Sequence, residues 1–309
     1  MKIVFFGSGK FAVTILEALH KYGHQIPLVV TRPDKKKGRH LHLSATPVKE
    51  YALLNDLPIF QPEDINDNSS HETLKNITAD VFIVVSYGKI LAKHILGLPS
   101  VMPINIHASL LPKYRGAAPI NHALMAGERK TGTTFIKMNE SMDKGDIIFQ
   151  KAVKIDARDN AATLDEKLSR LSAKYINTVL KLTTKKRIRL KKQDSRKATY
   201  APLMKKHIGL IQWDWPAEKI INYFRGCYGW PGSFTFYNSK LLKIFSLRKG
   251  KRRCHDIPGA IIQAQDDCLE VACGKGSIII KEVLPESHHR MSVQSFLAGH
   301  HVKIGEKLS

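Results

Sequence analysis

The stretch KIVFFGSGKFAVTILEALHKYGHQIPLVV, Lys2–Val30, decides the fold because it holds a strand–helix–strand pattern. Ile3–Phe6 and Ile26–Thr31 are short apolar runs that predict buried strands. Between them, Phe11–Tyr22 predicts a helix that ends at Gly23, and its apolar residues recur at helical spacing: Phe11, Ile15, Leu16 and Leu19. A unit of this kind is typical of a parallel sheet covered by helices on both faces.

The same alternation continues to about residue 184. Further strands are predicted at Val81–Val85, Ile104–His107, Thr133–Met138 and Ile147–Val153. Helices are predicted at Pro47–Leu54 and Leu164–Leu182, and another short helix is predicted to end at Leu74–Ile77. Residues 1–184 are therefore predicted to form one α/β domain with a Rossmann-like, doubly wound, mostly parallel sheet.

The pattern changes at residues 185–206, which begin KKRIRLKKQDSRKATY and predict a basic linker. Residues 207–309 predict a second domain, as expected for a chain of 309 residues. One helix and five short strands are expected there, at Ile220–Arg225, Gly232–Tyr237, Leu241–Leu247, Gly259–Ala264, Leu269–Ala272 and Ser277–Val283. Short strands separated by turns favour a small, OB-like β-barrel.

Positive charge is concentrated in the second half of the chain. The formal net charge is +22. Residues 1–184 carry 25 Lys/Arg against 17 Asp/Glu, whereas residues 185–309 carry 24 against 10. Such an excess attracts polyanions, of which nucleic acid is the commonest. A merely solvated basic surface is the alternative, and charge alone does not separate the two.

The four cysteines and the apolar runs limit the class of protein. Cys227, Cys254, Cys268 and Cys273 form no C-x-x-C pair, so no metal site is expected. The opening MKIVFFGSG is too short for a signal peptide core, and no stretch reaches the length of a membrane span. A cytoplasmic protein with reduced thiols is expected.

The glycine turn Gly7–Ala12 fits the dinucleotide fingerprint G-x-G-x-x-A. The second strand ends in Thr31-Arg32-Pro33, without the acidic residue of an NAD site, although Arg32 would suit a 2′-phosphate. The alternative is a glycine turn that only lets a strand meet a helix. We favour that packing interpretation, because a stronger chemical signal lies elsewhere.

That signal is NIHASLLPKYRGAAP, residues 105–119. Asn105 and His107 lie two apart on a predicted strand and share one face, at the edge where α/β folds bind ligands. An amide and an imidazole can stabilise an oxyanion or move a proton. Asp143 and Asp146 in MDKGDI offer a carboxylate to orient the histidine. The alternatives are buried polar residues that satisfy the backbone, and an ordinary Asx turn.

Four segments resemble the folate-dependent formyltransferases: residues 105–120, the MDKGDI turn, TRPDKKKGRHLHLSATPVK at 31–49, and WPGSFTF at 230–236. The resemblance spans essentially the whole chain. The chain departs from the family at Lys144, where threonine is usual, at Asn139-Glu140 after Met138, and at Gly9-Lys10, where Pro-Asp is usual. None of these departures removes Asn105, His107 or Asp143.

The resemblance implies roles for individual residues. Asn105, His107 and Asp143 correspond to the family's catalytic residues. Ser109, Leu110, Leu111 and Pro112 correspond to the segment that contacts 10-formyltetrahydrofolate in the family. Ser86, Tyr87 and Gly88 lie where the family builds the pterin pocket. The loop that approaches the tRNA corresponds to Lys35, Lys36, Lys37 and Arg39. The resemblance implies direct attack by an amine on the formyl group, with no metal.

The acceptor follows from length and charge together with the resemblance. Family members that act on glycinamide ribonucleotide usually have one domain, so the extra residues favour the α-amino group of initiator methionyl-tRNA, with an amino sugar on a nucleotide as the alternative. Residues 207–309 would then bind tRNA. Four aromatic residues there could stack on bases, although we expect at least half of them to lie in the core: Trp213, Trp215, Tyr228 and Trp230. An NADP oxidoreductase and a non-catalytic RNA-binding protein are the other candidates. A monomer is expected.

Overall fold

The computed structural model describes residues 1–37, 42–184, 188–251 and 256–309. The strands are β1 Lys2–Gly7, β2 Gln25–Val30, β3 Lys35–Lys37, β4 His42–Ser44, β5 Ile59–Phe60, β6 Val81–Val85, β7 Met102–His107, β8 Lys130–Lys137, β9 Ile147–Lys154, β10 Ser233–Tyr237, β11 Lys240–Lys249, β12 Ile261–Gln265, β13 Cys268–Ala272, β14 Ser277–Pro285 and β15 Met291–Ser292. The α-helices are α1 Lys10–Lys21, α2 Pro47–Leu54, α3 Asn68–Lys75, α4 Lys93–Leu96, α5 Pro119–Met125, α6 Ala161–Thr183, α7 Ala217–Gly226 and α8 Val293–Gly299. Within these described ranges, no helix has the length and apolarity that crossing a membrane requires.

The chain divides into two compact units. Unit 1 consists of Met1–Pro119, Lys130–Ile155 and Thr163–Pro202. Unit 2 consists of Ile120–Arg129, Asp156–Ala162 and Leu203–Ser309.

Unit 1 is built on a seven-stranded sheet in the order β5-β2-β1-β6-β7-β8-β9. The first five strands are parallel, whereas β8 and β9 are antiparallel to their neighbours. Strands β1 and β6 are almost entirely buried, as expected for parallel strands covered on both faces. The predicted α/β fold with a mostly parallel sheet is confirmed.

Close packing at Gly7 accounts for the first glycine turn. The predicted apolar face of α1 is buried, with Ile15, Leu16 and Leu19 fully covered. A Cβ on Gly7 would lie 2.7 Å from the Cβ of Ala12, so no larger residue fits between β1 and α1. This contact gives the glycine the packing role that the sequence interpretation favoured.

Unit 2 is built on an antiparallel sheet in the order β10-β11-β14-β13-β12, with β15 beside β14. All five predicted strands are present. Residues 306–309 link the two edge strands: Phe236 N donates to Ser309 O at 2.7 Å, and Ile261 N donates to Glu306 O at 2.8 Å. These bonds join the sheet's edges and give the predicted barrel-like form.

Two of the four aromatic residues considered in the sequence lie in or against the core of unit 2, as expected. Trp213 is buried and its Nε1 donates to Thr235 Oγ1 at 3.0 Å. Trp215 is half-buried against the same core, whereas Tyr228 and Trp230 are exposed. Two earlier segments also belong to this unit: Asn121 Nδ2 donates to Gly226 O at 2.7 Å, and Arg225 Nε donates to Asp159 O at 2.6 Å.

Candidate active site

Strand β7 presents Asn105 and His107 near its carboxyl end. It is hydrogen-bonded on both sides, with Asn105 opposite Val84 of β6 and Ile136 of β8. The His107 ring is buried, and Asn105 is half-buried. Because both neighbouring strands fix β7, the two side chains are held on one face as predicted.

Asp143 meets both side chains from the turn between β8 and β9. Its Oδ1 accepts a hydrogen bond from Asn105 Nδ2 at 3.2 Å and lies 3.5 Å from His107 Nδ1. Its Oδ2 accepts from the backbone N of Gly116 at 2.8 Å. The structure thus brings together the three residues that the sequence selected. The side chain that takes part is that of Asp143, whereas Asp146 offers its backbone oxygen to Lys137 N at 2.9 Å.

The orientation of the His107 ring is set by a second partner that the sequence did not indicate. His107 Nε2 donates to the carbonyl oxygen of Tyr114 at 2.8 Å. A carbonyl oxygen can only accept, so Nε2 carries a hydrogen and Nδ1 faces Asp143. Tyr114 is itself held, because its backbone N donates to Thr199 Oγ1 at 2.8 Å.

The segment Ser109–Pro112 has a fixed shape. Ser109 Oγ donates to Lys113 O at 2.6 Å, and Thr134 Oγ1 donates to Ser109 O at 2.6 Å. The Leu111–Pro112 peptide bond is cis. Ser109 and Leu111 are buried, whereas Leu110 and Pro112 remain partly exposed. Of these four predicted residues, the side chains of Leu110 and Pro112 are therefore the accessible ones.

The segment Ser86–Gly88 follows β6 in a turn. Ser86 and Gly88 have positive φ angles of 48° and 79°. The Tyr87 side chain is 1% exposed and packs edge-on against Phe6, with ring centroids 5.6 Å apart. Burial raises the pKa of Tyr87 to about 12, and its hydroxyl has no hydrogen-bond partner among the described residues. The accessible parts of this predicted pocket are thus Ser86 and Gly88.

The basic segment after β2 includes a strand that pairs antiparallel with β4. Lys35–Lys37 is β3, which pairs with β4, and the Lys35 side chain is exposed. Arg39 lies outside the described residues. Two contacts join the residues that flank this strand pair: the ion pair of Lys49 Nζ with Asp34 Oδ2 at 2.6 Å, and the hydrogen bond between the hydroxyls of Thr31 and Thr46 at 2.7 Å.

Two further side chains, Arg115 and Gln193, complete the surroundings of Asp143. Arg115 is 2% exposed, and its Nη2 donates to Gln193 Oε1 at 2.7 Å. Gln193 Nε2 donates to the backbone oxygen of Asp143 at 2.7 Å. Sequence reasoning missed both. The only signal for Arg115 was its place in the KYRGAAP run, and Gln193 was one of several neutral residues in a segment interpreted as a linker.

Known proteins match the chain along nearly its whole length. Sequence profiles of two families match the chain: "Formyl transferase" over residues 1–180 and "Formyl transferase, C-terminal domain" over residues 203–301. The chain is 40% identical to the methionyl-tRNA formyltransferase of Caldanaerobacter subterraneus subsp. tengcongensis, over 99% of each chain. It is 44% identical to the methionyl-tRNA formyltransferase of Caldicellulosiruptor saccharolyticus, over all of both chains.

Solved structures that share the fold include HypX and WlaRD. HypX from Aquifex aeolicus, crystallised with tetrahydrofolic acid, superposes with a TM-score of 0.67 at 13% identity, and the match covers 99% of this chain and 48% of HypX. WlaRD, a sugar 3N-formyl transferase crystallised in the presence of dTDP and 5-N-formyl-THF, superposes with a TM-score of 0.67 at 20% identity, covering 94% of this chain and 99% of WlaRD.

Proposed function

The chain belongs to the formyl transferase family, and on that premise we propose that it transfers the formyl group of 10-formyltetrahydrofolate to the α-amino group of initiator methionyl-tRNA. The observation that carries the proposal is the convergence of Asn105, His107 and Asp143 at the end of β7. The names of the full-length relatives support the tRNA acceptor, and the folates in the two solved neighbours support the donor.

The first role is that of Asn105 as a donor to the formyl oxygen. An amide nitrogen carries two hydrogens, and one of them is donated to Asp143 Oδ1. The other is available to the oxygen that becomes negative when the amine attacks. Since a fixed donor costs no reorganisation during the reaction, losing it raises the barrier by roughly 3–4 kcal/mol. The buried His107 ring lies next to the same carboxylate and supplies a second polar group at this point.

The second role is that of Asp143 as the proton acceptor. The neutral amine attacks the formyl carbon, and the carbonyl π electrons move to the oxygen. The nitrogen then carries an extra proton, which passes to the Asp143 carboxylate directly or through a water. Each carboxylate oxygen has two lone pairs, so the hydrogen bonds from Asn105 and Gly116 leave acceptor capacity for that proton.

The last step breaks the bond between the formyl carbon and the folate nitrogen. The oxyanion re-forms the carbonyl, the folate nitrogen leaves with the bonding electrons, and it takes up the proton that Asp143 received. Asp143 thus returns to its starting state. The products are a formylated amine and tetrahydrofolate, with no covalent bond to the protein. In this route the chain supplies hydrogen-bond donors, a base and the positioning of the two reactants.

The two alternative acceptors differ in charge and size. Lys35–Lys37 and Arg39 precede α2, and residues 185–309 carry an excess of 14 positive charges by the counts of 24 and 10, which suits a polyanion. An amino sugar on a nucleotide is the second candidate, because WlaRD, a sugar formyl transferase, has the same fold. At 20% identity, the likeness to WlaRD is evidence for the fold alone, so we favour tRNA as the acceptor.

One incubation tests the proposal. The protein is mixed with 10-formyltetrahydrofolate and either methionyl-tRNA or an amino sugar linked to dTDP, and the formylated amine is measured by mass spectrometry. We expect formyl-methionyl-tRNA and little formylated sugar. Formylation of the sugar alone would support the second candidate, and no formylation of either acceptor would refute the assignment of both.

A further inference from the structure

Gln193 reaches the Asp143 turn from a distant part of the chain. It lies fifty residues after Asp143, in the segment that the sequence predicts as a linker, and the structure includes it in unit 1. Its Nε2 donates to the backbone oxygens of Asp143 and Gly145, both at 2.7 Å. Its Oε1 accepts from Arg115 Nε at 3.1 Å and Nη2 at 2.7 Å. An amide has two donor hydrogens and two acceptor lone pairs, so this one is used to its full capacity.

The turn that Gln193 holds has an unusual backbone. Asp143 has a φ of 55°, in the left-handed region that residues other than glycine rarely adopt. At Gly145, a Cβ would lie 1.9 Å from the carbonyl oxygen of Lys137. The left-handed conformation of Asp143 and the close approach at Gly145 both require contacts that hold the turn in place. The two hydrogen bonds from Gln193 are such contacts, one on each side of Lys144.

Arg115 connects the same amide to the other half of the site. Its neighbours in sequence both contact the predicted residues: Tyr114 O accepts from His107 Nε2, and Gly116 N donates to Asp143 Oδ2. The Arg115 guanidinium is buried and has a fixed fork of donors. Gln193 therefore joins the loop that orients His107 to the turn that carries Asp143.

We propose that Gln193 is a positioning residue for formyl transfer, which holds the Asp143 carboxylate within reach of Asn105 and His107. The inference rests on the proposed function, since it assigns Asp143 a part in the reaction. Gln193 acts through the backbone of Asp143. Its loss should therefore lower kcat and leave the KM values for both substrates nearly unchanged. Displacement of a reacting group by about 1 Å can lower the rate about a hundredfold.

The test compares Q193E, Q193L and a matched control. In Q193E the side chain keeps its shape and its acceptors for Arg115, but its carboxylate oxygen would face the two carbonyl oxygens of the turn. Q193L removes both the donors to the turn carbonyls and the acceptor for Arg115. The control is D194N in the adjacent residue, whose side chain pairs with Arg196. We expect kcat to fall about tenfold to a hundredfold in Q193E and Q193L. KM should stay within about threefold, and D194N should behave as the wild type.

Three results would overturn the proposal: an unchanged kcat in Q193E and Q193L, a higher KM at unchanged kcat, or loss of the folded state in both variants by circular dichroism. The last result would assign Gln193 to the fold alone. Wild type and D143N are measured in the same assay. If the wild type does not formylate methionyl-tRNA, the proposed function fails; if wild type and D143N behave as proposed and Q193E matches the wild type, only the role of Gln193 fails.

Discussion

The surroundings of Asp143 in unit 1 and the surface of the barrel in unit 2 use opposite kinds of contact. Around Asp143, buried or half-buried groups form short hydrogen bonds, and several partners are backbone atoms, such as Gly116 N and Tyr114 O. The barrel carries exposed aromatic rings at Tyr228 and Trp230 and exposed ion pairs. Contacts of the first kind depend on fractions of an ångström, whereas those of the second depend on charge and area. Changes in the first region should lower kcat, and changes in the second should raise KM for the tRNA.

Apart from changes at Asp143 itself, the largest expected effect is that of Asn105→Ala. This change removes the proposed donor to the formyl oxygen and should lower kcat by roughly 10²–10³-fold. His107→Asn should have a comparable effect. Steady-state kinetics with methionyl-tRNA measure it. Asn68→Ala is the matched control, because Asn68 is exposed at the start of α3, away from the Asp143 turn, and its replacement should leave kcat within about threefold. Equal kcat values for the two variants would remove Asn105 from the mechanism.

The next effect is the salt dependence of tRNA binding, which tests the charged surface rather than the surroundings of Asp143. If two phosphates are neutralised, raising monovalent salt from about 50 to about 200 mM should weaken tRNA binding about tenfold through counterion release. The kcat at saturating tRNA should change little, because the Asp143 contacts are shielded from solvent. A KM that is flat with salt would argue against a polyanionic acceptor and favour the amino sugar.

A smaller effect is expected at the exposed rings of the barrel. Trp230 and Tyr228 are 61% and 48% exposed, and stacking of a base on such a ring contributes about 1–3 kcal/mol. Replacing either by alanine should raise KM for the tRNA about fivefold at unchanged kcat. Tyr22→Ala is the control, since Tyr22 is also 48% exposed but lies in unit 1 at the end of α1. Equal effects of Tyr22→Ala and Tyr228→Ala would show that the ring in the barrel has no special role.

The smallest effect concerns stability at another carboxylate of unit 1. Burial raises the pKa of the Asp165 carboxyl to about 6. The pKa of the same carboxyl in the unfolded chain is about 3.9. Asp165 therefore destabilises the fold increasingly as pH rises from about 4 to about 6, and by a constant amount above that. Asp165→Asn should therefore raise Tm by a few degrees at about pH 7.5 and have no effect near pH 4. Scanning calorimetry at both pH values measures it, and the idea fails if Asp165→Asn lowers Tm at the higher pH.

Much of the fold follows from local pattern. The apolar runs that became β1, β6 and β7, and the helical spacing of α1, are short-range signals that burial enforces. The sequence gives no such signal for the strand order, because it depends on pairings between distant segments. The grouping of residues 120–129 with unit 2 was missed for the same reason.

The candidate site was predictable where side-chain type carries the chemistry. Asn105 and His107 share a face because they lie two apart on a strand, and the resemblance selected Asp143 over Asp146 as the carboxylate. Tyr114 and Gly116 contribute backbone atoms, which every residue has, so residue type gives no warning of them. Gln193 was hidden for a different reason: its partners are brought near only by the tertiary fold.

The most direct test is the single-turnover rate of formyl transfer in Asp143→Asn, with protein in excess over methionyl-tRNA and with saturating 10-formyltetrahydrofolate. Under these conditions the rate reports the chemical step, free of product release. Asparagine keeps the size of the side chain but cannot take the proton from the attacking amine, so we expect the rate to fall by roughly 10²–10⁴-fold with an unchanged Kd for the folate. A single-turnover rate close to that of the wild type would contradict the assignment of Asp143 as the proton acceptor.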